Sequence, residues 1–356
     1  MANQSATLRK RLKEIDAEMQ AENWRSREWY SLQSILGVNW AWFYCLLGGR
    51  EAGKSYAITE FFVKKWKQKG IPFYWLRLNE ASTKKLLANK AEKLVDPDLH
   101  RKYKLNLTVR GNNVYDNGKK MCTVLALSTF ANDKGQGMFD KDFLKDLSMY
   151  YHICLDEFQL EKTQRSQGDI AYQFVMQMEN LVRSTKERMR IFLVGNTLEE
   201  CSDILTMFNY IPEQFGIYKL KKKRCVIHYM EPTDAYKKRR EGTVGDILAG
   251  HTSNYTNAID FDKTLVTKKR LIKPETIIAF NKHDKFTVWD GNIINQYNRE
   301  NCKNVIAMRP YEGYYFNQEL RDKIFMLYDN QGFYFHNLIT QKQFEKQLRI
   351  LKPRKQ

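Results

Sequence analysis

Short, wholly apolar runs alternate along this chain with stretches in which apolar side chains recur every three or four residues. The first pattern suits a strand covered on both faces, and the second suits a helix lying on such a sheet. Trp40 to Leu47 is the first apolar run. After it, Lys54 to Lys69 sets Ala57, Ile58, Phe61, Phe62 and Trp66 at helical spacing, and Gly70 stops the helix. "IPFYWLRL" (71–78), "YYHICLDEF" (150–158) and "RIFLVGNT" (190–197) read as further buried strands, and 169–188 as a helix. Strands alternating with helices predict an α/β fold on a largely parallel sheet, with its site at the strands' carboxyl ends. "LNLTVRGNNVYDNGKKMCTVLAL" (105–127) reads as short strands around Asn-Asn and Asp-Asn-Gly turns, an insertion in that pattern. "STFANDKGQGM" (128–138) reads as a loop.

The flanks differ in texture. Leu8, Leu12, Ile15 and Met19 predict one amphipathic helix within residues 1–35. Beyond about residue 205, basic clusters appear at Lys219–Arg224, Lys237–Arg240 and Lys268–Arg270. Residues 233–262 are polar, as suits a connecting module. "TIIAFNKHDKFTVWDGNII" (276–294) reads as a hairpin, and 317–330 and 341–351 as helices. The organisation expected is a helical extension over 1–35, an α/β domain over 36–232, a linker over 233–262 and a C-terminal domain over 263–356. No internal repeat is visible.

Charge changes the picture. Lys and Arg number 59 against 41 Asp and Glu, a formal net charge of +18. A polyanion, nucleic acid above all, is the simplest partner; the plain alternative is a basic protein that only gathers counter-ions. The six cysteines show no C-x-x-C spacing and read as buried thiols in a reducing compartment. No apolar run is long enough to span a bilayer, and the charged N-terminus lacks a signal core, so neither membrane insertion nor export is expected.

Gly48-Gly49-Arg50-Glu51-Ala52-Gly53-Lys54-Ser55 fits G-x-x-x-x-G-K-[ST] between a buried strand and a helix. Backbone N–H groups of such a turn, with the helix N-terminus, cradle a nucleotide triphosphate, here ATP. Lys54 would reach the β- and γ-phosphates, and Ser55 would ligate Mg²⁺. Asp156 and Glu157 close the third strand: the first would hold Mg²⁺ through water, the second would polarise the attacking water. Asn196, ending the next strand, could contact the γ-phosphate or the lytic water; a turn-forming asparagine is its plain alternative.

In this order, Gly48 to Ser55, "FYWLR" ending in Arg77, "CLDEF" and "ENLVRSTKERMRIFLVGN" resemble the DNA-packaging ATPases, or encapsidation proteins, of small podophages of the phi-twenty-nine type. The resemblance covers about residues 38–200. It implies an additional-strand catalytic-glutamate ATPase domain, a linker, and a ribonuclease-H-like domain without nuclease activity. It implies a ring, usually a pentamer, docked on the prohead portal in the host cytoplasm with a structural RNA, driving double-stranded DNA inward. Carried over by position, Arg183 matches an arginine finger presented to the neighbouring subunit, and Lys134 matches a second trans-acting basic residue. Arg77 matches an arginine that restrains Glu157. The first 35 residues have no counterpart role in the family.

Two-metal cleavage needs carboxylates converging on ions about 4 Å apart. Thr276 to Phe280 carries no acid, Asp284 sits in a turn, and Asp290 ends the following strand. This reads as a non-catalytic domain. Three function classes stay open on the residues alone: a DNA-translocating ATPase, a P-loop kinase for a small acceptor, and a nucleotide-gated nucleic-acid-binding module. Lys84 and Lys85 are weak candidates for a DNA pore.

Overall fold

The computed structural model describes residues 29–134, 150–159, 169–182, 189–196, 202–249, 259, 261–296, 302, 304–310 and 314–351. The chain divides into two compact units: Met1–Phe208 with Pro212–Ile259, and Asn209–Ile211 with Asp260–Gln356. The first unit therefore includes 233–249, which the sequence assigns to a linker.

The first unit is built on a nine-stranded sheet. Its strands are β1 (Phe43–Leu47), β2 (Phe73–Arg77), β3 (Leu107–Arg110), β4 (Asn113–Asp116), β5 (Lys119–Ala126), β6 (Tyr151–Asp156), β7 (Met189–Gly195), β8 (Gly216–Leu220) and β9 (Cys225–Tyr229). Across the sheet they run β3-β4-β5-β2-β6-β7-β1-β9-β8, and every pairing from β5 through to β9 is parallel. Helices α1 (Gln33–Leu36), α2 (Lys54–Lys69), α3 (Glu80–Ala91, interrupted over Ala88–Lys90), α4 (Pro97–Tyr103), α5 (Ile170–Val182), α6 (Asp203–Phe208), α7 (Asp234–Arg240) and α8 (Val244–Ala249) accompany it. The continuous apolar runs have the burial they require: every residue of β2 and β6 is buried. α2 inserts Ile58, Phe62 and Val63 into that core, and the Phe62 ring lies 5.1 Å from Phe73 and 5.5 Å from Phe192. Gly70 closes α2 at φ +66, its N–H donating to Trp66 O, a conformation that favours glycine.

Three expectations change. The first strand begins at Phe43 and not at Trp40, because the chain is still turning: Trp42 and Phe43 both donate backbone N–H groups to Arg224 O. Residues 105–127 are not a separate insertion. β5 pairs in parallel with β2 and extends the main sheet, with β3 and β4 as its antiparallel edge. Part of 128–138 is ordered as a 3₁₀ turn over Leu127–Asn132. The sequence reading also passed over β8 and β9. Their hairpin is masked by Lys221–Arg224, the charged run that forms its turn, with Arg224 at φ +47.

The second unit carries a five-stranded sheet of β10 (Pro274–Ala279), β11 (Lys285–Trp289), β12 (Ile293–Gln296), β13 (Asn304–Ala307) and β14 (Tyr334–Phe335), ordered β13-β10-β11-β12-β14. β10, β11 and β12 are antiparallel; β13 joins β10 in parallel and β14 joins β12 in parallel. α9 (Gln318–Asp329) and α10 (Leu338–Leu351) complete it. Phe344 of α10 anchors the core, its ring 5.2 Å from Phe286 and 5.4 Å from Phe280. The amphipathic helix expected within 1–35 lies outside the described residues. Among those described, no helix is long and apolar enough to cross a membrane. Cys45, Cys122, Cys154 and Cys225 are buried free thiols on strands, and burial pushes their pKa values up.

Candidate active site

β1 delivers the chain into the glycine loop, and α2 takes it away. The loop turns through two left-handed residues, Glu51 at φ +60 and Gly53 at φ +82, before the helix begins at Lys54. Such alternation turns successive backbone N–H groups toward one point, which suits an anion. The Lys54 ammonium is buried and folded back over the loop, donating to Gly48 O at 2.7 Å and Gly49 O at 2.5 Å. It also reaches Asn196 Oδ1 at 3.3 Å. Burial draws its pKa down from 10.5 to about 8, and the charges of Asp156 and Glu157 oppose that fall.

Parallel pairing of β6 with β2 and β7 brings the remaining groups to the same sheet end. Ser55 Oγ donates to Asp156 Oδ1 at 3.0 Å. Arg77, at the end of β2, pairs with Asp156 Oδ2 at 3.0 Å and also with Glu157 Oε2. Asp156 is buried, whereas the Glu157 side chain is 60% exposed. One arginine thus spans two neighbouring carboxylates of very different accessibility. Glu157 adopts φ +55, a conformation that non-glycine residues hold only when their surroundings enforce it. Here Phe158 supplies the anchor: its N–H donates to Val194 O, and its ring is fully buried against Gly195. A Cβ at Gly195 would stand 2.8 Å from that ring, so glycine lets β7 and the Asp-Glu turn approach. Asn196 follows directly, where its Oδ1 accepts from Lys54 Nζ.

A family model described as podovirus DNA encapsidation protein (Gp16) matches residues 26–297. The chain belongs to that family. Among solved structures it is similar to the Phi-28 gp11 DNA packaging motor, at 14% identity and a TM-score of 0.67, over 93% of this chain and 100% of that one. It is similar also to the bacteriophage Phi-29 viral genome packaging motor assembly, at 19% identity and a TM-score of 0.62, over 92% and 100%. At such identities the likeness is one of fold. No curated protein matches the chain. DNA encapsidation is accordingly the family's work, and a small-molecule kinase is not favoured.

For this family member, the residues singled out in sequence divide clearly. Lys54, Ser55, Arg77, Asp156, Glu157 and Asn196 converge through direct contacts. Lys134 is exposed, just beyond the 3₁₀ turn, and takes part in none of those contacts. Arg183 follows the end of α5 and lies outside the described residues. Sequence reasoning did not find the side chains that hold the loop from behind: Tyr236, Arg239 and Arg240. A tyrosine and two arginines in a basic cluster look like a solvated surface, and no local spacing ties them to a loop almost 190 residues earlier.

Proposed function

We propose that this encapsidation protein is an ATPase that uses hydrolysis at the Lys54–Glu157 site to drive double-stranded DNA into a prohead. The observation that carries the reading is the convergence of a phosphate-loop lysine, a hydroxyl, a buried aspartate and an exposed glutamate at one sheet end. The loop amides and Lys54 would bind the β- and γ-phosphates. Ser55 Oγ and Asp156 Oδ1, 3.0 Å apart, are a hard-oxygen pair of the kind Mg²⁺ takes beside phosphate oxygens, and the ion would neutralise phosphate charge. Glu157 would accept the proton of the attacking water, Arg77 would hold its carboxylate back until needed, and Asn196 would register the γ-phosphate through Lys54. β7 lies between β1 and β6, which supports the additional-strand catalytic-glutamate class.

Arg183 is assigned as a finger acting on the neighbouring subunit and Lys134 as a second trans-acting group, in a ring, most simply a pentamer, docked on the portal with a structural RNA. In the second unit, three antiparallel strands with a fourth parallel to the first support a ribonuclease-H-like fold. Asp284 is engaged within its own turn and Asp290 by the backbone that leads into β10, which supports a domain without nuclease activity. The domain reading with a linker over 233–262 stands on the same footing.

The test is phosphate release with and without duplex DNA. Stimulation by DNA of unrelated sequence, lost steeply with salt as counter-ions are released, is expected. Removing a finger costs on the order of 10³–10⁵ in rate in other P-loop enzymes. Arg183→Ala should therefore be nearly inactive alone and regain turnover when mixed with Glu157→Gln subunits. DNA-independent turnover that mixing does not alter would defeat the motor reading.

A further inference from the structure

The backs of three consecutive phosphate-loop carbonyls are occupied. Arg50 O accepts from Tyr236 Oη at 2.8 Å and from Arg240 Nη1 at 3.3 Å. Glu51 O accepts from Arg239 Nη2 at 2.6 Å. Ala52 O accepts from the Tyr30 N–H at 2.9 Å. In a trans peptide the C=O of one residue and the N–H of the next point in opposite directions. Holding those carbonyls outward therefore turns the N–H groups of Glu51, Ala52 and Gly53 inward, toward the phosphates. A single peptide flip would put a carbonyl dipole where an anion must sit.

The donors are themselves fixed. β9 runs parallel to β1, so it leaves the sheet beside the loop, and Met230 N–H donates to Leu47 O at 2.8 Å. Thr233 then caps α7, its hydroxyl accepting the Tyr236 N–H. Tyr236 is only 3% exposed, and Arg240 Nη1 lies 2.6 Å from its hydroxyl. The Arg239 guanidinium stacks 3.8 Å from the Trp29 ring, and Trp29 in turn lies against Gly53. Two chain segments thus grip the loop from its outer side, residues 29–30 and α7.

We propose that Tyr236, Arg239 and Arg240 are positioning residues of the nucleotide site, which hold the phosphate loop with its amides facing the phosphates. This rests on the nucleotide-binding reading above. It makes α7 an element through which the chain beyond β9 sets affinity for nucleotide, without touching the nucleotide itself.

The test is a titration of the intact protein with a fluorescent, non-hydrolysable ATP analogue, beside thermal unfolding without nucleotide. Tyr236→Phe keeps the ring and removes only the hydroxyl. It should weaken binding about five- to tenfold, as the hydroxyl's hydrogen bonds to Arg50 O and from Arg240 are lost behind the loop, and by more than any fall in the nucleotide-free midpoint accounts for. Arg239→Leu should weaken binding similarly, and Arg239→Lys, which keeps a donor, should recover part of it. Affinity within twofold of wild type in both Tyr236→Phe and Arg239→Leu overturns the proposal. So does a loss of affinity that only follows a fall in the nucleotide-free midpoint. Lys54→Ala is the control: if it too binds normally, the nucleotide site itself is wrong, and the failure is not that of the clamp.

Discussion

Asp156 and Glu157 close β6 in the first unit, and Asp290 follows β11 in the second. Each acid ends an apolar strand, and Glu157 and Asp290 both take left-handed backbone conformations, at φ +55 and +49. Their partners differ. Asp290 accepts the backbone N–H groups of Ile272 and Lys273, at 3.0 and 2.9 Å, and so ties its turn to the segment that leads into β10. Asp284 is held within its own turn: its carboxylate accepts from Asn281 Nδ2 and its N–H donates to Asn281 Oδ1. Asp156 and Glu157 instead meet a lysine and a serine from the start of α2 and an arginine from the end of β2. A strand-end carboxylate is spent on nearby backbone unless parallel neighbours bring cations and hydroxyls to the same end. Among the described residues, the five-stranded sheet, antiparallel over β10 to β12, brings none into hydrogen-bond contact with Asp290.

Glu157→Gln breaks the comparison at its strongest point. It should lower turnover by about 10²–10⁴, the usual loss for a general base, while nucleotide titration shows binding retained. Loss of binding instead would make Glu157 a structural or metal-holding residue.

Arg77→Leu comes next. It leaves the buried Asp156 without its guanidinium, which typically destabilises by about 3–5 kcal/mol, read from denaturant unfolding. Adding Asp156→Asn should recover part of that loss. An unchanged midpoint in the single variant would mean that Ser55 alone satisfies Asp156.

pH gives a third test through Lys54, whose pKa in the folded protein is about 8 against 10.5 ordinarily. The nucleotide needs the charged ammonium. Affinity should fall as pH rises from 7.2 to 9, by less than about tenfold per unit. The sign for stability is opposite. The folded, nucleotide-free protein binds fewer protons than the unfolded chain between those pKa values, so Lys54 makes it more stable as pH rises through that window. Lys54→Met should abolish the pH step in affinity.

The smallest effect belongs to the second unit. Asp290→Asn keeps one of its two acceptors for the Ile272 and Lys273 N–H groups and should cost about 1 kcal/mol at this exposed site, with turnover unchanged. A tenfold drop in turnover from this variant would put the two acids in one class and end the contrast.

Much of the site could be read in the chain because its chemistry is local. The glycine loop would bind phosphate through its own backbone, and an apolar run followed by Asp-Glu needs only a strand to present it. Asn196 was equally visible, but its reach to Lys54 depends on β7 lying between β1 and β6, which no short window contains. The β8–β9 hairpin was obscured for a physical reason. Its turn is Lys221–Arg224, so the charge that suggested a nucleic-acid surface also broke the apolar pattern of the strands beside it.

By itself the sequence determined the α/β alternation, the phosphate loop, the acids that close β6 and the excess of positive charge. Each of these rests on neighbours in the chain, through backbone geometry, side-chain period or composition. Only the tertiary structure decided that Arg77 bridges Asp156 and Glu157, that Gly195 makes room for Phe158, and that α7 grips the loop. Those contacts join segments whose order in the sheet bears no relation to their order in the chain; Tyr236 and Arg50 stand 186 residues apart. Hydrogen bonds across such distances are specified by strand pairing and packing, and the residues that make them carry no local mark of their partners.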